Sequence, residues 1–155
     1  MCFIGDFRYP RKFSRFIRLC LYVGIEVVFI APSSPWMNGS IENFNNWFGA
    51  KFWDKETFTS LKAMGINLDK LPLTDGKIHF IRKVDNKARI NVLNEVFEVG
   101  KAFISEYVWA TICLEKRKMG VYYRAQDWNA PALIKEFGYD VNERISPIRQ
   151  DIWKT

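Results

Sequence analysis

The apolar residues of this chain change period partway along it, and that change restricts the fold more than any other feature. From Arg11 to Val23, Phe13, Phe16, Ile17, Cys20 and Leu21 recur at helical spacing, while Arg11, Lys12, Arg15 and Arg18 fall mostly off that stripe. From Lys77 onward the apolar positions alternate. Ile78, Phe80 and Val84 share one side of a strand, Ile90 and Val92 share one side of another, and Asp85-Asn86-Lys87 supplies a turn that predicts a hairpin between them. One period buries a stripe and the other buries a sheet face, so the chain reads as α+β.

The punctuation divides it further. Gly24 stops the first helix, and Glu26-Val27-Val28-Phe29-Ile30 is a short β-branched strand. Two prolines and the Asn38-Gly39 pair make residues 31–39 an extended loop. A second helix starts near Ser40, with Ile41, Phe44, Phe48 and Phe52 on one face and Glu42, Asn45, Asn46 and Gly49 opposite. Gly65, Asn67, Asp69 and Pro72 interrupt the pattern, which places a linker at 65–75 between a first unit, 1–64, and a second, 76–127. Further strands are expected at Val96–Val99, Val108–Leu114 and Met119–Tyr123, the last two joined by Glu115-Lys116-Arg117-Lys118. Short strands at this spacing suggest a small β-barrel. In the tail, 128–155, Ala132 to Phe137 reads as one or two helical turns, and Trp109 is expected in the core.

Composition narrows the function classes. A formal net charge of +6 suits contact with phosphate and does not by itself require it. The longest apolar stretches, such as Val27 to Ala31, are far too short for a bilayer, and Asp6 with several arginines replaces a signal-peptide core, so no membrane partner and a cytoplasmic location are expected. Three scattered cysteines, none in a C-x-x-C pair, indicate neither a disulfide framework nor a zinc cluster. His79 is the single histidine, and it reads as a packed or surface residue rather than a ligand.

The most specific pattern is the run Gly24-Ile25-Glu26, the strand, then Pro32, Pro35, Asn38-Gly39, Ile41-Glu42 and Phe44-Asn45. It resembles the segment around the last acid of the DDE transposases and retroviral-type integrases, in which a strand, a P-x-x-P-x-x-N-G loop and a helix bearing Glu follow in that order. Phe13, Arg18, Leu19, Cys20, Leu21 and Gly24 upstream, and Lys51-Phe52-Trp53 downstream, are similar to the bacterial insertion-sequence branch. The resemblance implies a ribonuclease-H-like segment followed by an SH3-like barrel, with Glu42 as a catalytic, metal-binding carboxylate. It also implies Mg²⁺ or Mn²⁺ in the intact protein, double-stranded DNA as partner, and a homo-oligomer on transposon ends.

Chemistry makes such a Glu sensible, because in-line phosphoryl transfer needs divalent cations held by several carboxylates. Near a helix N-terminus the ionised form of Glu42 is favoured, although a lone Glu there is more often a solvated cap. A site of this family needs two further acids. Phe3 fits the end of the D-N-G-x-x-F segment that carries the second, which puts that Asp before Met1; the expectation is an incomplete site, inactive alone. Asp6 lies 36 residues before Glu42, a spacing found in relatives, but Phe7-Arg8-Tyr9-Pro10 follows it in place of Asn-Gly.

The remaining candidates would touch DNA rather than do chemistry. Asn38, Gly39, Asn45 and Asn46 line the loop and helix beside Glu42; Arg15 and Arg18 lie on the basic helix; Lys116, Arg117 and Lys118 form a basic turn. Each has a plainer reading, as a solvated helix face or a turn kept soluble by cations. Two rivals to an enzyme fragment therefore stand: a non-catalytic DNA-binding module, and an inactive remnant of a mobile element.

Overall fold

The computed structural model describes residues 11–38, 67–125 and 130–147. Its first element is helix α1, Arg15–Tyr22. Ser14 caps it by accepting a hydrogen bond from the Ile17 amide, which satisfies one of the donors a helix start leaves open. Gly24, at φ +75°, ends it: the Gly24 amide donates to the Leu21 carbonyl and the Ile25 amide to the Cys20 carbonyl, closing a Schellman turn. The helix then feeds β1, Val27–Phe29, as the sequence predicts.

After 67 the chain is mostly strand: β2 Leu73–Thr74, β3 Lys77–Lys83, β4 Arg89–Val92, β5 Glu95–Glu98, β6 Tyr107–Cys113, β7 Lys118–Tyr123, β8 Ala132–Gly138 and β9 Ile145–Ser146. The fold is therefore mixed α+β, mostly strand with one helix among the described residues. Five strands form an open sheet in the order β1-β3-β6-β7-β8, with β1 parallel to β3 and the rest antiparallel. No barrel closes among the described residues; β1 and β8 are separate edges.

Three expectations are corrected. The hairpin of β3 with β4 is not a ladder: β1 and β6 occupy both edges of β3, so β4 turns away at Asp85 and pairs with β5. Residues 132–137 are strand, not helix, because β7 offers a partner edge along which Met119 meets Phe137 and Tyr122 meets Leu133, with a register shift between Val121 and Tyr122. Trp109 is outside the core, 42% exposed.

One sheet face is the core. Ile78, Phe80, Val108, Ala110, Ile112, Met119 and Val121 point inward and are fully buried or nearly so. Ile17 and Leu21 of α1 and Ile90, Val92 and Phe97 of the β4–β5 hairpin belong to the same buried cluster, as do Tyr139 and Val141 after β8. Helix α1 and strand β1, expected in a first unit, thus share a sheet and a core with strands expected in the second. Within the expected linker Leu71 and Leu73 are buried, and β2 pairs parallel with β9.

Non-local ion pairs hold the layers together. Arg18 donates to the Glu143 carboxylate and to the carbonyls of Phe13 and Leu71, joining α1 to the chain before β2 and before β9. Arg11 donates to Glu95 and to the Asp140 carbonyl while lying over the Tyr139 ring. The Glu95 hydrogen bond holds the Arg11 guanidinium even more firmly protonated than usual. Arg82 donates to the carbonyls of Asn91, Ile30 and Ile81; partial burial lowers its pKa from the ordinary range, and these carbonyls offset the lost hydration of the half-buried cation. Cys20 and Cys113 are free thiols. Among the described residues no helix is long and apolar enough to cross a membrane.

Candidate nucleic-acid interface

Strand alternation puts Val28, His79, Ile81, Lys83, Tyr107, Trp109 and Tyr122 on the sheet face opposite the core. The sequence carried the signal that locates Trp109 there. Val108, Ala110 and Ile112 all face inward on the same strand, so a period of two sends Trp109 and Thr111 outward whatever the size of the indole.

The outward indole is not loose. Its Nε1–H donates to His79 Nδ1 at 3.1 Å, and the two rings meet edge to face with centroids 5.7 Å apart. An acceptor at Nδ1 places the ring proton of neutral His79 on Nε2, from which it donates to Glu26 at 3.1 Å; Thr111 Oγ1 lies 2.9 Å from Nδ1. Lys77 lies 3.9 Å from the same Glu26 carboxylate. Across the ladder from Trp109, Tyr122 lies along its own strand over Gly120, where a Cβ would come within 2.9 Å of the tyrosine ring. Between these aromatic residues and Ile81, Arg124 and Pro131 lies a cleft of about 240 Å³. Lys83 stands over the Tyr107 ring at one end.

The cations expected to meet DNA are placed as follows. Arg15 is exposed and pairs with Asp69 at 2.7 Å. Arg18 is spent on Glu143 and backbone carbonyls. In the β6–β7 turn, Arg117 adopts φ +52° and donates to the Val141 carbonyl, Lys118 pairs with Glu136 at 2.7 Å, and Lys116 is exposed with no ion-pair partner among the described residues. Asn38 closes a 3-10 turn, Pro35–Asn38, within the expected loop. Glu42, Gly39, Asn45, Asn46 and Asp6 lie outside the described residues, which themselves contain no group of three His, Cys, Asp or Glu able to hold a metal ion. The outer sheet face thus carries aromatic rings in its middle and basic groups at both ends. Comparison with protein-family models, with curated proteins and with solved structures returned no match.

Proposed function

We propose that this chain is the C-terminal part of a DNA transposase or retroviral-type integrase, in which a ribonuclease-H-like segment bearing Glu42 precedes an SH3-like module that holds duplex DNA. The observation that carries this reading is the sequence unit from Gly24 through Pro32, Pro35 and Asn38-Gly39 to Glu42 and Asn45. The order of helix α1, its glycine stop, β1 and the turn at Pro35–Asn38 supports it. In the intact protein Glu42 would join two upstream acids around Mg²⁺ or Mn²⁺, and the chemistry would be phosphodiester cleavage followed by strand transfer. The described residues supply no part of that metal site.

A second reading, a DNA-binding module without catalysis, is favoured by one specific observation. Strand β1, which should sit in a catalytic sheet, is paired parallel to β3 of the accessory module. The two readings part on one assay. A chain extended upstream through a D-N-G segment and a further Asp should join transposon ends to target DNA, and Glu42→Gln should abolish that joining. Equal activity of the Gln variant removes Glu42 from the chemistry. Both readings require duplex affinity that falls as salt rises, since phosphate contacts release counterions; affinity indifferent to salt would refute both.

A further inference from the structure

We infer that the cleft on the outer sheet face binds an unpaired DNA base, stacked between Trp109 and Tyr122 with its phosphate on Arg124. The inference rests on the DNA-binding reading above and adds to it the form of DNA this surface takes. Four observations carry it.

The walls are rings. Tyr107, Trp109 and Tyr122 line the cleft with Ile81 and Pro131, and among the described residues no carboxylate lines it. Every base has a π-face, and aromatic walls take any of them without reading sequence. The size suits one heterocycle: at about 240 Å³ the cleft falls below the range of roughly 300–1,000 Å³ typical of drug-sized ligands.

The rings are held in place before anything binds. The Trp109 indole is fixed by its hydrogen bond to His79, which is anchored in turn by Glu26, and Tyr122 is seated in the space left by the missing side chain of Gly120. An exposed tryptophan held this way has already lost the side-chain freedom that binding would otherwise have to remove.

The charge fits a phosphate at the rim. Arg124 is exposed at the cleft and has no ion-pair or hydrogen-bond partner among the described residues, and Lys83 stands beside Tyr107 at the same end. Two carboxylates of this face are already paired, Glu26 with His79 and Lys77 and Glu136 with Lys118.

A duplex cannot use such a cleft, because its bases are stacked on one another and only its phosphates reach a flat surface.

The test uses the full chain and two probes, a short fluorescein-labelled oligothymidylate and a blunt mixed-sequence duplex, both read by anisotropy. Trp109→Leu keeps an apolar side chain at an exposed position but removes the stacking surface. It should weaken oligothymidylate binding by about five- to a hundredfold, the range expected for one base stacked on one ring, and change duplex binding by less than about twofold. Gly120→Ala, which pushes Tyr122 off its seat, should weaken the same probe. Arg124→Gln leaves the rings intact and should flatten the salt dependence of oligothymidylate binding, so the inference remains testable if a ring variant folds poorly. Oligothymidylate bound equally well by parent and Trp109→Leu overturns the inference, as does a parent that binds duplex alone; in both cases the DNA-binding reading survives. A parent that binds oligothymidylate but no duplex has the opposite meaning, sinking that reading and leaving the pocket. Concentration-dependent dimerisation abolished by Trp109→Leu would give the face to a second copy of the chain and overturn the inference.

Discussion

Leu21 and Gly76 are the place to test whether α1 is welded to the sheet. Leu21 is 1% exposed, and its Cδ2 lies 2.8 Å from where a Cβ on Gly76 would stand. Gly76 opens β3 at φ +139°, a backbone region that side-chain-bearing residues rarely adopt, and its carbonyl accepts from the Leu114 amide. Leu21→Ala removes buried methyls and leaves a cavity, costing about 2–5 kcal/mol. Gly76→Ala carries backbone strain of about 1–3 kcal/mol and a collision with Leu21 of about 1–3 kcal/mol. In the double variant the cavity receives the new methyl, so the collision disappears while the backbone strain stays. The pair should therefore cost about 1–3 kcal/mol less than its two members added together. Urea unfolding followed by circular dichroism gives the three differences, and amide exchange in β6 and β7 shows whether the sheet feels a change made in the helix. Additivity within about 0.5 kcal/mol would mean that Leu21 does not sit on Gly76. A Leu21→Ala variant whose β6 and β7 amides kept their full protection would mean that α1 and the sheet unfold as separate units.

Two further outcomes follow from polar groups elsewhere. Burial opposes ionisation of Asp85, but the amides of Lys87 and Arg89 and the Arg89 guanidinium outweigh it, so the folded pKa lies below the ordinary value. A depressed carboxylate stabilises the fold above its unfolded pKa, near 3.9, and loses that contribution as pH falls through the folded value. Asp85→Ala should therefore melt below the parent at neutral pH, with the gap closing under acid conditions; a gap that persisted in acid would show that the ionised form is not what holds the turn. The Tyr139 hydroxyl is buried without a hydrogen-bond partner among the described residues, and burial and then Glu95 push its pKa well above the ordinary range. Tyr139→Phe keeps the ring under Arg11 and removes an unsatisfied donor, a penalty of about 1–3 kcal/mol, so its melting temperature should match or exceed that of the parent. A loss of more than about 1 kcal/mol would mean that the hydroxyl has a partner after all.

What the sequence made legible is what local period controls. The buried positions Ile17, Cys20 and Leu21 of α1, its stop at Gly24 and the inward alternation of Ile78 and Phe80 need no distant partner to be read and appear as expected, whereas Phe16, expected on the same stripe, is exposed. Pairing is different. Leu133, Ile134 and Phe137 mimic one helical face, and only the edge of β7, with its shift of register, makes them a strand. The hairpin expected at Asp85 failed for a related reason, since nothing near β3 in sequence announces that β1 and β6 will take both its edges. Trp109 faces outward despite its size, because the alternation of Val108, Ala110 and Ile112 around it decides its side. The segment around Glu42, which resembles that of the transposases and integrases, shows the opposite imbalance. Its residue order is specific in sequence, whereas Glu42 itself lies outside the described residues.

Charge needs the same discrimination. A net charge of +6 invites a count of phosphate contacts, but the structure spends many of its cations internally. Arg11 is held by Glu95, Arg18 by Glu143, Arg82 by three carbonyls, Arg117 by the Val141 carbonyl and Lys118 by Glu136. A guanidinium that already serves a partly buried carboxylate or a carbonyl cannot turn to a phosphate without giving up that partner. Within the basic stripe, Arg11 is tied to Glu95 and to the Asp140 carbonyl and Arg18 to Glu143, whereas Arg15 is exposed and paired with Asp69. Lys116 in the β6–β7 turn and Arg124 beside the aromatic cleft have no such obligation among the described residues. They stand toward opposite ends of β7, and the ring-lined outer face lies between them. A strand of DNA spanning the two would lay its bases across Trp109 and Tyr122, so the unspent charge and the exposed rings favour the same path over the sheet.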